Sequence, residues 1–210
     1  GESVRVDMIK YNRIKSHKIL SIPTGINYSN FNPDNFKLED SRKHFKFQDD
    51  EIVIGILAVL RQFKRHDLFL QAANSLIKKY TNKKLVFVIA GDGPQKESIQ
   101  NLIEKLNLTS NVKMIGHIDN VPEFLNAINI LVLSSDSKEG VPQSAMQGLF
   151  MNKPLVATNS GSTKDLLFEN NFQLVEKGNL NSLIKGISFY LNMSVEISTR
   201  SFIIVFFNLS

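Results

Sequence analysis

Glu139, Gly140, Val141, Pro142, Gln143 and Gln147 stand close together in the run INILVLSSDSKEGVPQSAMQGLFMNKPLVATNSGSTKD, residues 130–165. A carboxylate such as Glu139 can accept two hydroxyl groups at once, and a glutamine accepts through its carbonyl and donates through its amide. Gln143 and Gln147, four residues apart, share one helix face. Further upstream, Arg61 and Lys64 bring two positive charges to the end of another apolar run. Two cations beside a helix N-terminus would stabilise negative charge on a bound anion, about 3 kcal/mol for each well-aimed donor. From spacing alone, Arg61 and Lys64 are equally well read as solvated charges ahead of a helix.

Such groups need a rigid frame, and the flanking residues supply one. Ile130, Leu131, Val132 and Leu133 form the short, wholly apolar run that a parallel strand buried on both faces requires, and a polar loop follows. In open parallel sheets, ligands bind beyond the carboxyl ends of the strands, where loops enter helix N-termini with unpaired N–H groups. Glu139 and Gly140 lie there. Pro142 suits the first helical position, and Val141, Ala145, Met146, Leu149 and Phe150 recur as a core face. Pro154 predicts an end to this helix near Asn152, after which residues 155–158 read as another buried strand. The turn Asn159-Ser160-Gly161-Ser162 permits close backbone approach, and the next helix carries Asp165 in its first turn.

These residues resemble the family 4 glycosyltransferases of GT-B fold. The family couples a Glu-Gly-x-Pro loop to a second acidic residue eight positions later, then a buried strand and a glycine-rich turn. Here EGVPQSAMQ, residues 139–147, is followed by KPLVATNSGSTKDL. Gln147 stands where the family usually has glutamate, Ser162 where a second glycine is usual, and Arg65 where glycine usually follows the lysine. The resemblance implies that Arg61 and Lys64 stabilise a leaving diphosphate and that Glu139 positions the sugar. It also implies that Gln147 contacts the ribose, that the backbone of Gly116-His117-Ile118 meets the nucleotide base, and that Gly161, Ser162 and Thr163 cap the diphosphate or sugar through N–H groups. His117 itself reads as a bystander. Arg65 is a competitor for the role of Lys64.

Gly91-Asp92-Gly93-Pro94 invites a dinucleotide reading, which the position argues against. The motif follows the second strand, lacks a third glycine and has proline opening its helix, so Gly91 and Gly93 read better as a turn with a small contact to the ligand. The sequence contains no pair of aspartates in an Asp-x-Asp arrangement, no histidine cluster and no Ser-His-Asp constellation, and no metal or other cofactor is expected. Nucleic acid binding has only net charge in its favour.

Across 210 residues the chain is 42% hydrophobic and 21% charged, the balance of an ordinary globular protein, with a formal charge of +5. A pI near 9.3 suits an anionic ligand or membrane surface, as do merely solvated lysine-rich faces. The absence of cysteine excludes disulfides, and with no secretory signal a cytoplasmic location is the default. Alternating patterns predict strands at 52–59, 85–90, 112–115, 130–133, 155–158 and 173–175. Helices are predicted across Leu68 to Tyr80, from Pro94 to Leu106, and over 122–128 and 180–191. That alternation predicts an α/β fold, a Rossmann-like parallel sheet with helices on both faces, the C-terminal half of a GT-B fold in the resemblance.

Residues 1–26, with a helix over 2–12, a strand-like 18–22 and the hinge PTGIN, look like the tail of a preceding acceptor domain. Residues 27–50 read as linker, 51–191 as the donor domain, and 192–210 as a C-terminal segment. There the apolar run 202–207 is left wanting a partner that association would supply. By resemblance the partners are a nucleoside diphosphate sugar and a glycan or lipid-linked acceptor. Any peripheral membrane contact would be made by the missing N-terminal domain, and the fragment alone would bind donor without transfer. The competing classes are a degenerate Rossmann-like scaffold and an NAD-dependent oxidoreductase.

Overall fold

The computed structural model describes residues 2–20, 27–136, 140–166 and 172–193. After helices α1 (Glu2–Tyr11) and α2 (Leu38–His44), strands and helices alternate: β1 (Glu51–Leu57), α3 (His66–Lys79), β2 (Lys84–Ala90), α4 (Lys96–Lys105), β3 (Val112–Gly116) and α5 (Val121–Ala127). Next come β4 (Ile130–Leu133), α6 (Gln143–Phe150), β5 (Leu155–Thr158), β6 (Gln173–Val175) and α7 (Leu180–Asn192). The six strands form one sheet of order β3-β2-β1-β4-β5-β6, and every pairing is parallel. The chain steps outward from β1 to β3, crosses back through α5, then steps the other way from β4. The connectivity therefore reverses between β1 and β4, and a crevice opens there at the strand carboxyl ends.

Strict alternation along each strand divides the core in two. Ile54, Ile56, Phe87, Ile89, Ile130, Val132 and Val156 join one buried cluster with residues of α3, α4 and α7. Val53, Val86, Val88, Leu131, Leu133, Leu155 and Ala157 join the other, with α5 and α6. Phe69 of α3 meets Phe87 of β2 edge-on, ring centroids 5.6 Å apart at 71°. Burial of a side chain of that size contributes about 2–3 kcal/mol. The Rossmann-like class and all six predicted strands are thus present. Boundaries differ slightly: β1 ends at Leu57, α4 begins at Lys96 beyond Pro94, and Pro142 caps α6 instead of opening it.

The stretch 27–50, expected as linker, contains α2, which packs against α5. Its phenylalanines explain this: Phe47 is buried, and Phe31, Phe36 and Phe45 pack on the same cluster. Ser41 Oγ accepts from Asn126 Nδ2 at 3.0 Å. Buried Arg42 donates through Nη2 to the carbonyls of Gln48 and Glu51, the latter at 2.7 Å. Asn129 ties the two middle strands at their start, its Oδ1 accepting from Val53 N at 2.7 Å.

Residues 16–18 are a 3-10 turn, not the start of a strand over 18–22. In α1, Met8 and Tyr11 are 41% and 65% exposed, while Ile9 is half-buried. Arg5 Nε donates to the Ile19 carbonyl at 3.0 Å, holding α1 to the segment after it. The hinge residues 23–26, Glu139 and the apolar run 202–207 lie outside the described residues. Among the described residues no helix is long and apolar enough to cross a membrane.

Candidate functional site

Because all strands run parallel, the loops carrying Arg61, Lys64, Gly91, Gly93, His117, Ile118, Gly140 and Gly161 all follow the carboxyl ends of strands, and Gln143 and Gln147 lie on α6 beyond β4. On the β2–β3 side, the backbone continues the sheet beyond its formal strands. Ala58 N donates to Ala90 O at 3.1 Å, Leu60 N to Asp92 O at 3.0 Å, Gln95 N to Leu60 O at 3.0 Å, and Gly91 N to Gly116 O at 2.7 Å. The glycines permit this approach. Gly91 and Gly93 have φ of +140° and +154°, and a β-carbon at Gly91 would lie 2.0 Å from the Ala58 carbonyl oxygen. At Gly93 it would lie 2.9 Å from Leu60 N and O. Their smallness serves the chain's own backbone, which delivers Leu60 and hence Arg61 to the edge. Gly116, His117 and Ile118 leave β3 beside Gly91; exposed His117 has Nε2 3.5 Å from Asp119 Oδ1.

Across the crevice, the exits of β1 and β4 are joined. Ser134 Oγ donates to the carbonyls of Lys64 at 2.8 Å and Arg65 at 3.1 Å, and Asp136 N donates to Phe63 O at 2.9 Å. Arg61 is exposed and lines a cleft of about 720 Å³ with Phe63, His66, Gln95, Ser98 and Asp136. Lys64 is half-buried, its Nζ 5.4 Å above the Phe63 ring.

The Arg65 guanidinium is engaged within the protein. Its Nε and Nη2 each meet the Asp67 carboxylate at 2.9 Å, and Nη1 meets Asp136 Oδ2 at 3.1 Å. The hydrogen bonds to Asp67 and then to Asp136 hold its proton above the usual arginine range, against the opposing effect of burial. With φ 52° and ψ 48°, Arg65 occupies the left-handed region that glycine adopts freely and that costs other residues about 1–2 kcal/mol. This conformation turns the chain into α3, where His66 is 3% exposed and its Nε2 finds no hydrogen-bond partner among the described residues. The sequence offered one clue to Arg65, its replacement of a usual glycine; His66 and Asp136 carried no signal.

At the β4 and β5 ends, Gly140 and Val141 are half-buried, Pro142 is buried, Gln143 is exposed and Gln147 is half-buried on α6. Gly161 has φ +54°, as a tight turn requires. Ser162 and Thr163 are buried. The Thr163 N–H donates to Ser160 O at 3.1 Å. Asp165 sits in a 3-10 helix, Thr163–Leu166, and its N–H bonds Ser162 O at 3.0 Å. Among the described residues no group of three or more His, Asp or Glu side chains could hold a metal ion.

An open, doubly wound α/β domain with its polar loops gathered at the strand carboxyl ends is the class these features define. The chain belongs to the glycosyl transferases group 1 family, whose model matches residues 37–202. It is 29% identical over 161 residues to the poly(ribitol-phosphate) alpha-N-acetylglucosaminyltransferase of Staphylococcus aureus, covering 76% of this chain and 31% of that protein. The fold is shared with the Anabaena protein Alr3699/HepE, solved in complex with UDP: TM-score 0.80 and 16% identity, over 91% of this chain and 52% of that one. It is shared too with the C-terminal domain of a glycosyl transferase group 1 family protein, LpcC, from Francisella tularensis. That likeness has a TM-score of 0.69 at 22% identity, over 80% of this chain and 88% of that one. The chain spans less than half the length of the curated relatives it matches first, 27%, 37% and 31% of them.

Proposed function

We propose that the chain is the donor-binding domain of a retaining glycosyltransferase and holds a nucleoside diphosphate sugar across the crevice between β1 and β4. The observation that carries this reading is the gathering, at one sheet edge, of Arg61 past β1, the α6 N-terminus past β4 and the Gly161 turn past β5. In this reading Arg61 and Lys64 stabilise the leaving diphosphate, and Gly161 and Ser162 approach it through the backbone. Glu139 accepts sugar hydroxyls, Gln147 contacts the ribose, and Gly116-His117-Ile118 meets the base. The acceptor, a glycan or a lipid-linked glycan of surface polysaccharide synthesis, is held by the part of the relatives that this chain does not span. The 210-residue chain therefore binds donor without transferring it.

Calorimetric titration with UDP, GDP, ADP, their sugar conjugates and NADH tests the reading. One nucleoside diphosphate binds, and Arg61→Ala weakens it roughly tenfold to a hundredfold, the loss of a charge-assisted hydrogen bond of about 1.5–3 kcal/mol. Glu139→Ala abolishes the preference for the sugar conjugate over the bare diphosphate. Gln147→Glu, restoring the family's usual residue, tightens binding of the ribose-bearing ligand. NADH binding, or binding of no nucleotide, refutes the proposal.

A further inference from the structure

Arg65 links more of the candidate site than any other side chain described above. Its guanidinium holds Asp67 in the first turn of α3 through two contacts of 2.9 Å and Asp136 past β4 through one of 3.1 Å. Its carbonyl accepts from Ser134 Oγ at 3.1 Å. A third loop lies alongside, since a β-carbon at Gly178, between β6 and α7, would be 3.9 Å from Nη1. The residue thus touches both walls of the crevice while its backbone stays left-handed at φ 52°.

The carboxylates decide what this achieves. Asp67 and Asp136 stand at the edge where a diphosphate would bind, and unpaired they would repel it. We propose that Arg65 is a positioning residue: it fixes the β4 exit against the β1–α3 loop and offsets half of the negative charge that Asp67 and Asp136 would otherwise direct at an anionic ligand. The inference rests on the donor-site reading, and it makes Arg65 act through its two acidic partners and not by touching the ligand.

Charge compensation and mere bracing separate when a nucleoside is compared with its diphosphate. The 210-residue chain, Arg65→Gln, Asp136→Asn and the double variant are titrated with whichever of UDP, GDP and ADP the unaltered chain binds, and with the matching nucleoside. Thermal midpoints are recorded in parallel. Arg65→Gln weakens the diphosphate about tenfold, the scale of one partly screened unit charge, and leaves the nucleoside within about twofold. Adding Asp136→Asn recovers most of that loss. Asp136→Asn alone, which needs no rescue of folding, tightens the diphosphate about threefold because the cluster of Arg65, Asp67 and Asp136 then goes from a net negative charge to neutral.

Nucleoside and diphosphate weakening together, an unaltered Arg65→Gln, or an Asp136→Asn that binds no tighter overturns the inference while the donor-site reading stands. An unaltered chain that binds no nucleoside diphosphate overturns both.

Discussion

Acidification should cost this protein stability through His66. The imidazole is 3% exposed at the start of α3, and its Nε2 finds no partner among the described residues. Burial first, then the charge of Lys64, pushes its pKa down from 6.5 to about 4, outweighing the attraction of Asp67. The unfolded chain thus takes up a proton across a range in which the folded chain refuses it. The stabilisation is complete above 6.5 and is lost as pH falls towards 4. Between pH 7 and pH 5 the difference amounts to about 2 kcal/mol.

Many carboxylates titrate nearby, so the measurement must be differential. Urea unfolding of the unaltered chain and of His66→Gln is followed at pH 7 and pH 5, and the two losses are subtracted. The unaltered chain should lose about 2 kcal/mol more than the variant. Equal losses would mean that the folded imidazole protonates as readily as a free one, and the reasoning from its burial would be wrong.

Other substitutions probe the frame. Gly91→Ala should destabilise by about 2–4 kcal/mol in denaturant titration, because a β-carbon 2.0 Å from the Ala58 carbonyl forces backbone apart at φ +140°. Asn129→Ala strips the Val53 N–H of its acceptor and should cost about 1–3 kcal/mol; a loss under a few tenths would show that water replaces it. Phe87→Ala, at 0% exposure beneath Phe69, should lower stability by about 3–5 kcal/mol with the fold's circular dichroism retained.

The sheet was readable because its strands are buried on both faces and consist of unbroken apolar runs, with helical periodicity between them. The segment 27–50 was misread for a physical reason. Its Asn, Asp and Lys residues dominate composition, whereas Phe31, Phe36, Phe45 and Phe47 decide its packing, and they follow neither helical nor strand spacing. Gly91 and Gly93 were read as a turn with a small contact to a ligand, and sequence does not reveal that they lie against the backbone at Ala58 and Leu60. Likewise Arg65 was visible as an oddity, while its pairing with Asp136, seventy-one residues away, depends on β1 and β4 becoming neighbours. The edge of the sheet was predictable from connectivity alone; which side chains neutralise one another there was not.

The strand order also governs how the molecule comes together. β1, β2 and β3 are consecutive in sequence and adjacent in the sheet, so they can pair through short excursions, whereas β1 meets β4 only after the whole of that unit and α5 has been made. Joining ends so far apart carries a loop-closure cost that nearer contacts avoid. The crevice has one wall from each half. It therefore exists only once β1 and β4 have paired, and a chain that has not reached that stage, however much secondary structure it holds, lacks the candidate site.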